Sequence, residues 1–174
     1  MNLLTILGLV LALGTGAVGH AAPPSAATGA SMNCTRGAPE PLIDPANRQV
    51  KRTSYVPNGL EAQEGFVLRS GVKGTIHHQG CHAYVLSIDL VFPSKRPVTG
   101  LADIAAVLQD LDPSNGLFAS AATTLRQIPD TQPAYDVELP WQVQGEIPSY
   151  IMVRKSGCAC KNKTSVTVLL SVGL

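Results

Sequence analysis

The segment that most constrains the fold is the run CHAYVLSIDLVF, from Cys81 to Phe92. Its residues alternate between two sets, of which the even-numbered set is the more apolar. A period of two is that of a β-strand, in which successive side chains point to opposite faces of a sheet. The run therefore predicts a long strand with two distinct faces. One face carries His82, Tyr84, Leu86, Ile88, Leu90 and Phe92, and the other carries Ala83, Val85, Ser87, Asp89 and Val91.

A second strand is predicted immediately before this one. The segment GFVLRSGVKGTIHH, which begins at Gly65, is rich in strand formers, and Gly71 and Gly74 mark positions for a bend or bulge. Gln79 and Gly80 predict a two-residue hairpin turn in which Gly80 supplies a positive φ.

Two amphipathic helices are predicted after this hairpin. Thr99 is a candidate N-cap for a helix that runs to about Leu111, and Asp112-Pro113 is typical of a second helix start. Both segments repeat apolar residues at helical spacing. The inward set is Leu101, Ile104, Ala105, Leu108 and Leu111 in the first helix, and Leu117, Phe118, Ala121, Leu125 and Ile128 in the second.

Three further strand-like runs follow, at 135–144, 149–155 and 164–172. Hairpins that lack crossover helices favour an antiparallel sheet with the helices on one face. We therefore predict a disulfide-stapled α+β fold with an antiparallel sheet of about five strands. Its order would be strand-strand-helix-helix-strand-strand-strand, with the helix pair packed on one face of the sheet.

The N-terminal residues indicate export. Residues 1–21 contain the apolar run LLTILGLVLAL, and a small-x-Ala cleavage pattern precedes Ala22. Residues 22–64 are rich in proline and predict an irregular arm with at most one short strand near Val50 to Val56, whereas residues 65–174 predict a single α+β domain. We expect a periplasmic or secreted protein whose mature chain has no transmembrane segment.

Four cysteines, Cys34, Cys81, Cys158 and Cys160, follow the predicted signal peptide. An even number in a small exported protein indicates two disulfides. Cys158 and Cys160 are two residues apart, a spacing that strains a bridge in an extended strand, so we expect one to pair with Cys34 and the other with Cys81. A thiol redox role for Cys158 and Cys160 is an alternative.

His77, His78 and His82 are a candidate metal site. Across a two-residue turn His77 and His82 would face each other, and two imidazoles suit copper or zinc. His78 would point to the other face, and Cys81 would be unavailable within a disulfide. A solvated hairpin tip without metal is the alternative interpretation.

The charge pattern indicates a surface for a partner. The segment after Ile147 carries no acidic residue. Between Asp103 and Glu138, by contrast, six of the seven charged residues are acidic. Trp141, the only tryptophan, is a candidate interface anchor, with a packed core position as the alternative. The candidate partner-binding residues are therefore Trp141, Arg154, Lys155, Lys161 and Lys163.

These features favour an exported binding module that is more consistent with a non-enzyme than with an enzyme. The net charge of +1 and 5% aromatic content disfavour nucleic acid as a partner. No catalytic signature such as Gly-x-Ser-x-Gly occurs, and Ser87 and Asp89 would share a face that excludes His82. We expect a protein inhibitor or an immunity-type protein that contacts another protein of the cell envelope, without a cofactor. Periplasmic copper or zinc binding and thiol redox activity are the alternatives.

Overall fold

The computed structural model describes residues 37–80, 83–113, 116–129, 135–141, 149–156 and 163–173. These segments form seven strands and two helices. In chain order they are β1 Val50–Asn58, β2 Glu61–Leu68, β3 Lys73–Gln79, β4 Ala83–Phe92, α1 Leu101–Leu111, α2 Leu117–Arg126, β5 Glu138–Trp141, β6 Ser149–Ser156 and β7 Thr164–Gly173.

All seven strands join one sheet in the order β1-β2-β3-β4-β7-β6-β5, and every neighbouring pair is antiparallel. The sheet consists of a four-stranded meander and a three-stranded meander. They meet at β4 and β7, which pair over their full length from Ala83–Gly173 to Phe92–Thr164. The helix pair lies in the chain between the two meanders. The predicted α+β class with an antiparallel sheet is therefore confirmed.

The predicted strand count and order are wrong. The sheet begins at Val50, where the one short strand allowed for the arm was expected, but β2 also begins within the arm, at Glu61. The segment that was expected to be one strand after Gly65 is divided between β2 and β3. Gly71 adopts a φ of 88° in the connecting turn, a conformation that favours glycine, so the chain reverses there instead of bulging. The order is four strands, two helices and three strands.

The alternation in β4 sorts the two faces of the sheet as predicted. Leu86, Ile88, Leu90 and Phe92 are fully buried, whereas the odd-numbered residues are half-buried. The buried set belongs to one hydrophobic core with the inward residues of both helices. We call this side of the sheet the covered face and the other side the open face. Over the described residues, the buried apolar side chains of the sheet belong to the covered face.

The two helices bury the apolar stripes expected from the sequence. In α1, Leu101, Ile104 and Leu108 are buried. The N-cap is Gly100 and not Thr99. The backbone N–H and the hydroxyl of Thr99 instead donate to the Asp103 carboxylate, both at 2.7 Å, so this carboxylate organises the first turn. The second helix begins at Leu117, several residues after the predicted start at Asp112-Pro113.

The segment before β1 is tied to the covered side of the sheet. The backbone N–H groups of Leu42 and Ile43 donate to the Glu64 carboxylate on β2. Further along, the Asn47 amide donates to the carbonyls of Asp110 and Leu111 at the end of α1. These bonds order residues that apolar patterning alone would leave irregular.

Candidate functional site

The open face carries a short polar chain centred on His77. Its Nε2 lies 3.3 Å from Oδ2 of Asp89, and Oδ1 of Asp89 accepts a 2.6 Å hydrogen bond from the Thr167 hydroxyl. Ser87 pairs directly with His77 across β3 and β4. The sequence interpretation placed Ser87 and Asp89 on one face correctly, but it did not identify His77 as the histidine that shares this face.

The covered face holds a second polar group, formed by the buried Glu64 and His78 and the partly buried Tyr84. The His78 ring has no exposed surface, and its Nδ1 lies 2.9 Å from the Tyr84 hydroxyl. Its Nε2 lies 3.4 Å from Oε2 of Glu64, a contact that lacks hydrogen-bond geometry. Glu64 is 1% exposed, and its carboxylate accepts the backbone bonds from Leu42 and Ile43 at 2.9 and 3.0 Å. The cluster therefore anchors the segment before β1.

The predicted facing pair of His77 and His82 is wrong, because the turn is longer than two residues. Gln79 pairs with Val85, and five residues lie between these two in the chain. In this register His77 faces Ser87. Gly80 has the expected positive φ, at 97°, and a Cβ there would lie 2.0 Å from the Ala83 carbonyl oxygen. His82 itself lies outside the described residues.

The two described histidines cannot share one metal ion through their side chains. His77 and His78 are consecutive strand residues and point to opposite faces, as the sequence predicted. Within the described segments, no group of three or more His, Cys, Asp or Glu side chains is placed to hold a metal. Copper or zinc binding therefore has no supporting geometry in this part of the chain.

The four cysteines, Cys34, Cys81, Cys158 and Cys160, lie outside the described residues. The expected pairing of Cys158 and Cys160 with Cys34 and Cys81 therefore stays a prediction, as does the alternative of a thiol redox role for Cys158 and Cys160.

Trp141 is not the surface anchor that the sequence suggested. It is 2% exposed at the end of β5, and its indole N–H donates a 2.9 Å hydrogen bond to the Ser120 hydroxyl on α2. The alternative interpretation, a tryptophan packed on the helices, describes its position. It is therefore unavailable for contact with a partner.

The predicted basic residues of the β6–β7 hairpin are at the surface. Arg154, Lys155 and Lys163 are exposed, and Lys161 lies outside the described residues. Arg154 lies 3.6 Å from the Asp136 carboxylate, and the Lys155 ammonium sits 4.2 Å from the centre of the Tyr135 ring. Burial raises the pKa of the Tyr135 phenol above its ordinary value. Of the three, Arg154 alone forms an ion pair among the described residues.

Strand pairing brings many more Lys and Arg residues to the end of the sheet where the β6–β7 hairpin lies. We define the basic end as the end at which β4 finishes and β7 begins, from the Asp89–Thr167 pair outward. Of the 13 Lys and Arg residues, Arg36 and Lys161 are outside the described segments. Of the remaining eleven, Arg126 alone lies within a helix, and the others lie on strands and turns at this end of the sheet. The ten others are Arg48, Lys51, Arg52, Arg69, Lys73, Lys95, Arg96, Arg154, Lys155 and Lys163.

Sequence reasoning identified only the β6–β7 part of this cluster. Arg52 pairs with Val67, and Val67 pairs with Lys73, so three strands place both cations in one row. These residues come from segments that are separate in sequence and show no local run of charge. Only the register of strand pairing brings these cations together, and that register cannot be read from a single sequence.

Comparison of the chain with known proteins identified no relative. No family model, curated protein or solved structure matches the chain. Among the helices in the described segments, none has the length and apolar character needed to cross a bilayer.

Proposed function

We propose that this protein is an exported, non-enzymatic binding module of the inhibitor or immunity type, which contacts an acidic surface of another envelope protein through its basic end. The observation that carries the proposal is the convergence of ten described cations at one end of the sheet. A concentrated field of one sign accelerates association with an oppositely charged partner and aligns it.

The available charge supports this assignment. Lys51, Arg52 and Lys73 are exposed and form no ion pair with a carboxylate in the described parts of the chain. Two acidic residues near this end already have partners. Asp136 faces Arg154, and Asp89 is held between His77 and Thr167. The basic end therefore retains cations that a partner can neutralise.

The scaffold also suits recognition by contact. The basic residues extend from strands and turns of one hydrogen-bonded sheet, and the full β4–β7 ladder joins its two meanders. A surface whose residues are held on strands loses little conformational freedom when it binds, which favours affinity.

Capture of a partner by matched charge variants tests the proposal. Lys163→Glu reverses a charge at the basic end, and Arg126→Glu makes the same change on α2, outside the sheet. The wild-type protein should retain one acidic protein from an envelope extract, and the purified pair should bind saturably, more weakly as salt rises. Lys163→Glu should weaken binding about tenfold through repulsion, whereas Arg126→Glu should bind as wild type.

Three results would contradict the proposal. The first is the absence of any saturable partner with both oxidised and reduced protein. The second is equal binding by the Lys163→Glu and Arg126→Glu variants. The third is preferential binding to anionic lipid vesicles or to nucleic acid, since either would replace the acidic protein as the ligand of the basic end.

A further inference from the structure

Two cations flank a groove on the open face of β1, β2 and β3. Arg52 pairs with Val67, which in turn pairs with Lys73. The two cations therefore occupy one row on the same face, with Val67 between them. Neighbouring strands are about 4.8 Å apart, so their Cα atoms are separated by roughly 10 Å. Both side chains are exposed and long enough to converge above the intervening strand.

The floor of this groove is open because Gly65 has no side chain. Gly65 pairs with Ser54 on β1 and Thr75 on β3, in the row next to the two cations. A Cβ atom at Gly65 would lie 2.7 Å from the Ser54 hydroxyl oxygen, so even a methyl group would crowd this space. The resulting basic groove has a volume of about 210 Å³ and is lined by Arg52, Ser54, Gly65 and Lys73, among others.

The lining matches the chemistry of a single oxyanion. A guanidinium can donate two parallel hydrogen bonds to a carboxylate or phosphate, an ammonium adds a point charge, and a hydroxyl adds a further donor. The volume lies below the ~300 Å³ at which sites for whole small molecules begin. The groove therefore suits one charged group that projects from a larger ligand.

A neighbouring groove on the same face provides an internal comparison. It has a volume of about 380 Å³, and its lining includes Glu61, Gln63 and His77 but no Lys or Arg. It lies toward the opposite end of the same strands. Although this groove is larger, its lining offers a carboxylate and no fixed cation, so it does not suit an anion.

We propose that the basic groove is an oxyanion site that receives an acidic side chain of the protein partner. This inference rests on the proposed function, because it takes the partner to be an acidic protein, and it names the contact at the centre of that interface. A free phosphate shares the same oxyanion chemistry, so the test includes both anions.

Titration of ¹⁵N-labelled protein with acetate and with inorganic phosphate tests the site, with chloride at equal ionic strength as the reference. The amides of Ser54, Gly65 and Thr75 should shift saturably with acetate. Removal of one charged donor should weaken the affinity about tenfold, so Arg52→Ala should show this loss and the control Arg126→Ala should not. Gly65→Ala, which keeps both cations but crowds the floor, should also weaken binding.

Several outcomes would overturn the assignment. Shifts that are spread over all exposed amides, or that persist in Arg52→Ala combined with Lys73→Ala, would show general screening and no site. Saturation by phosphate without any response to acetate would identify a phosphate site and contradict the acidic side chain as the ligand.

The partner assay separates this inference from the proposed function. If Arg52→Ala loses acetate binding yet holds the partner as tightly as wild type, the basic groove is not the contact, while the basic end remains the interface. If acetate binds as expected but no acidic protein is captured, the proposed function fails and the role of the groove in an interface fails with it.

Discussion

The two faces of the sheet treat consecutive histidines in opposite ways. His78 is fully buried on the covered face, beside the enclosed Glu64 carboxylate and the Tyr84 hydroxyl. His77, one residue earlier, is partly exposed on the open face beside Asp89, whose side chain is about half exposed. The same kind of pair, an imidazole and a carboxylate, therefore occurs in two different dielectric environments within one strand.

The difference shows where polar groups hold the fold and where they are free for recognition. A buried carboxylate without partners is very costly, so Glu64 must keep its bonds to Leu42 and Ile43 for the fold to be stable. A partly solvated pair such as His77 and Asp89 contributes little because water competes for both groups. Substitutions on the covered face should therefore affect stability, and those on the open face should affect binding.

The largest effect should follow substitution of Glu64. Glu64→Ala leaves two backbone N–H groups without their acceptor and His78 without its neighbouring charge, so we expect a loss of about 3 kcal/mol in unfolding free energy. Denaturant titration measures this loss. Glu61→Ala, at an exposed position on the same strand, should change stability by less than about 0.5 kcal/mol. Equal effects at the two positions would contradict the assigned burial.

The sharpest comparison of the two faces uses the adjacent histidines. His78→Ala creates a cavity and removes one contact of the Tyr84 hydroxyl, so we expect it to destabilise the protein by about 2 kcal/mol. His77→Ala should cost about 0.5 kcal/mol or less. Chemical denaturation of both variants under the same conditions measures the difference. A larger loss for His77→Ala would reverse the assignment of faces.

Asp103 should give a smaller effect that depends on pH. Hydrogen bonds from Thr99 hold the pKa of its carboxyl below the usual value. Since the folded pKa lies below the unfolded one, the stabilisation is present at neutral pH and is lost as the pH falls below about 4. Asp103→Asn should therefore lose about 1 kcal/mol at pH 7, and the gap from wild type should close in acid. Thermal melts at several pH values test this, and a constant gap would contradict it.

The smallest effect is expected at the polar chain of the open face. Thr167→Val removes the hydroxyl that donates to Asp89 and keeps a β-branched side chain suited to a strand. Because Asp89 is about half exposed, water can replace this donor. We expect a change of about 0.5 kcal/mol or less in unfolding free energy, measured by denaturant titration. A loss near that of His78→Ala would mean that the open face also holds the fold.

Local patterns predicted much of this architecture. The alternation from Leu86 to Phe92 sorted the residues of β4 correctly onto two faces, and the helical stripes that include Ile104 and Leu125 gave correct inward residues. These predictions succeeded because each depends on a period within one element. The position of Gly80 in a turn with positive φ was predicted for the same reason.

The candidate site was harder to predict because its residues meet only through strand pairing. The facing pair of His77 and His82 failed because the hairpin connection is longer than its turn residues suggest, and this change in register gives His77 a different partner, Ser87. The exposure proposed for Trp141 failed because the indole reaches Ser120 on α2. Neither contact could be predicted from the local sequence around His77 or Trp141.

The sequence by itself determined the class of fold and the inward stripe of most elements, since side-chain periodicity and glycine stereochemistry act over a few residues. Only the tertiary structure decided that β1 and β2 extend the sheet, that β4 pairs with β7 across the helix pair, and that Arg52 and Lys73 share one row. The physical reason is that register depends on the simultaneous burial of one whole face of the sheet. No single strand carries enough information to select its neighbour.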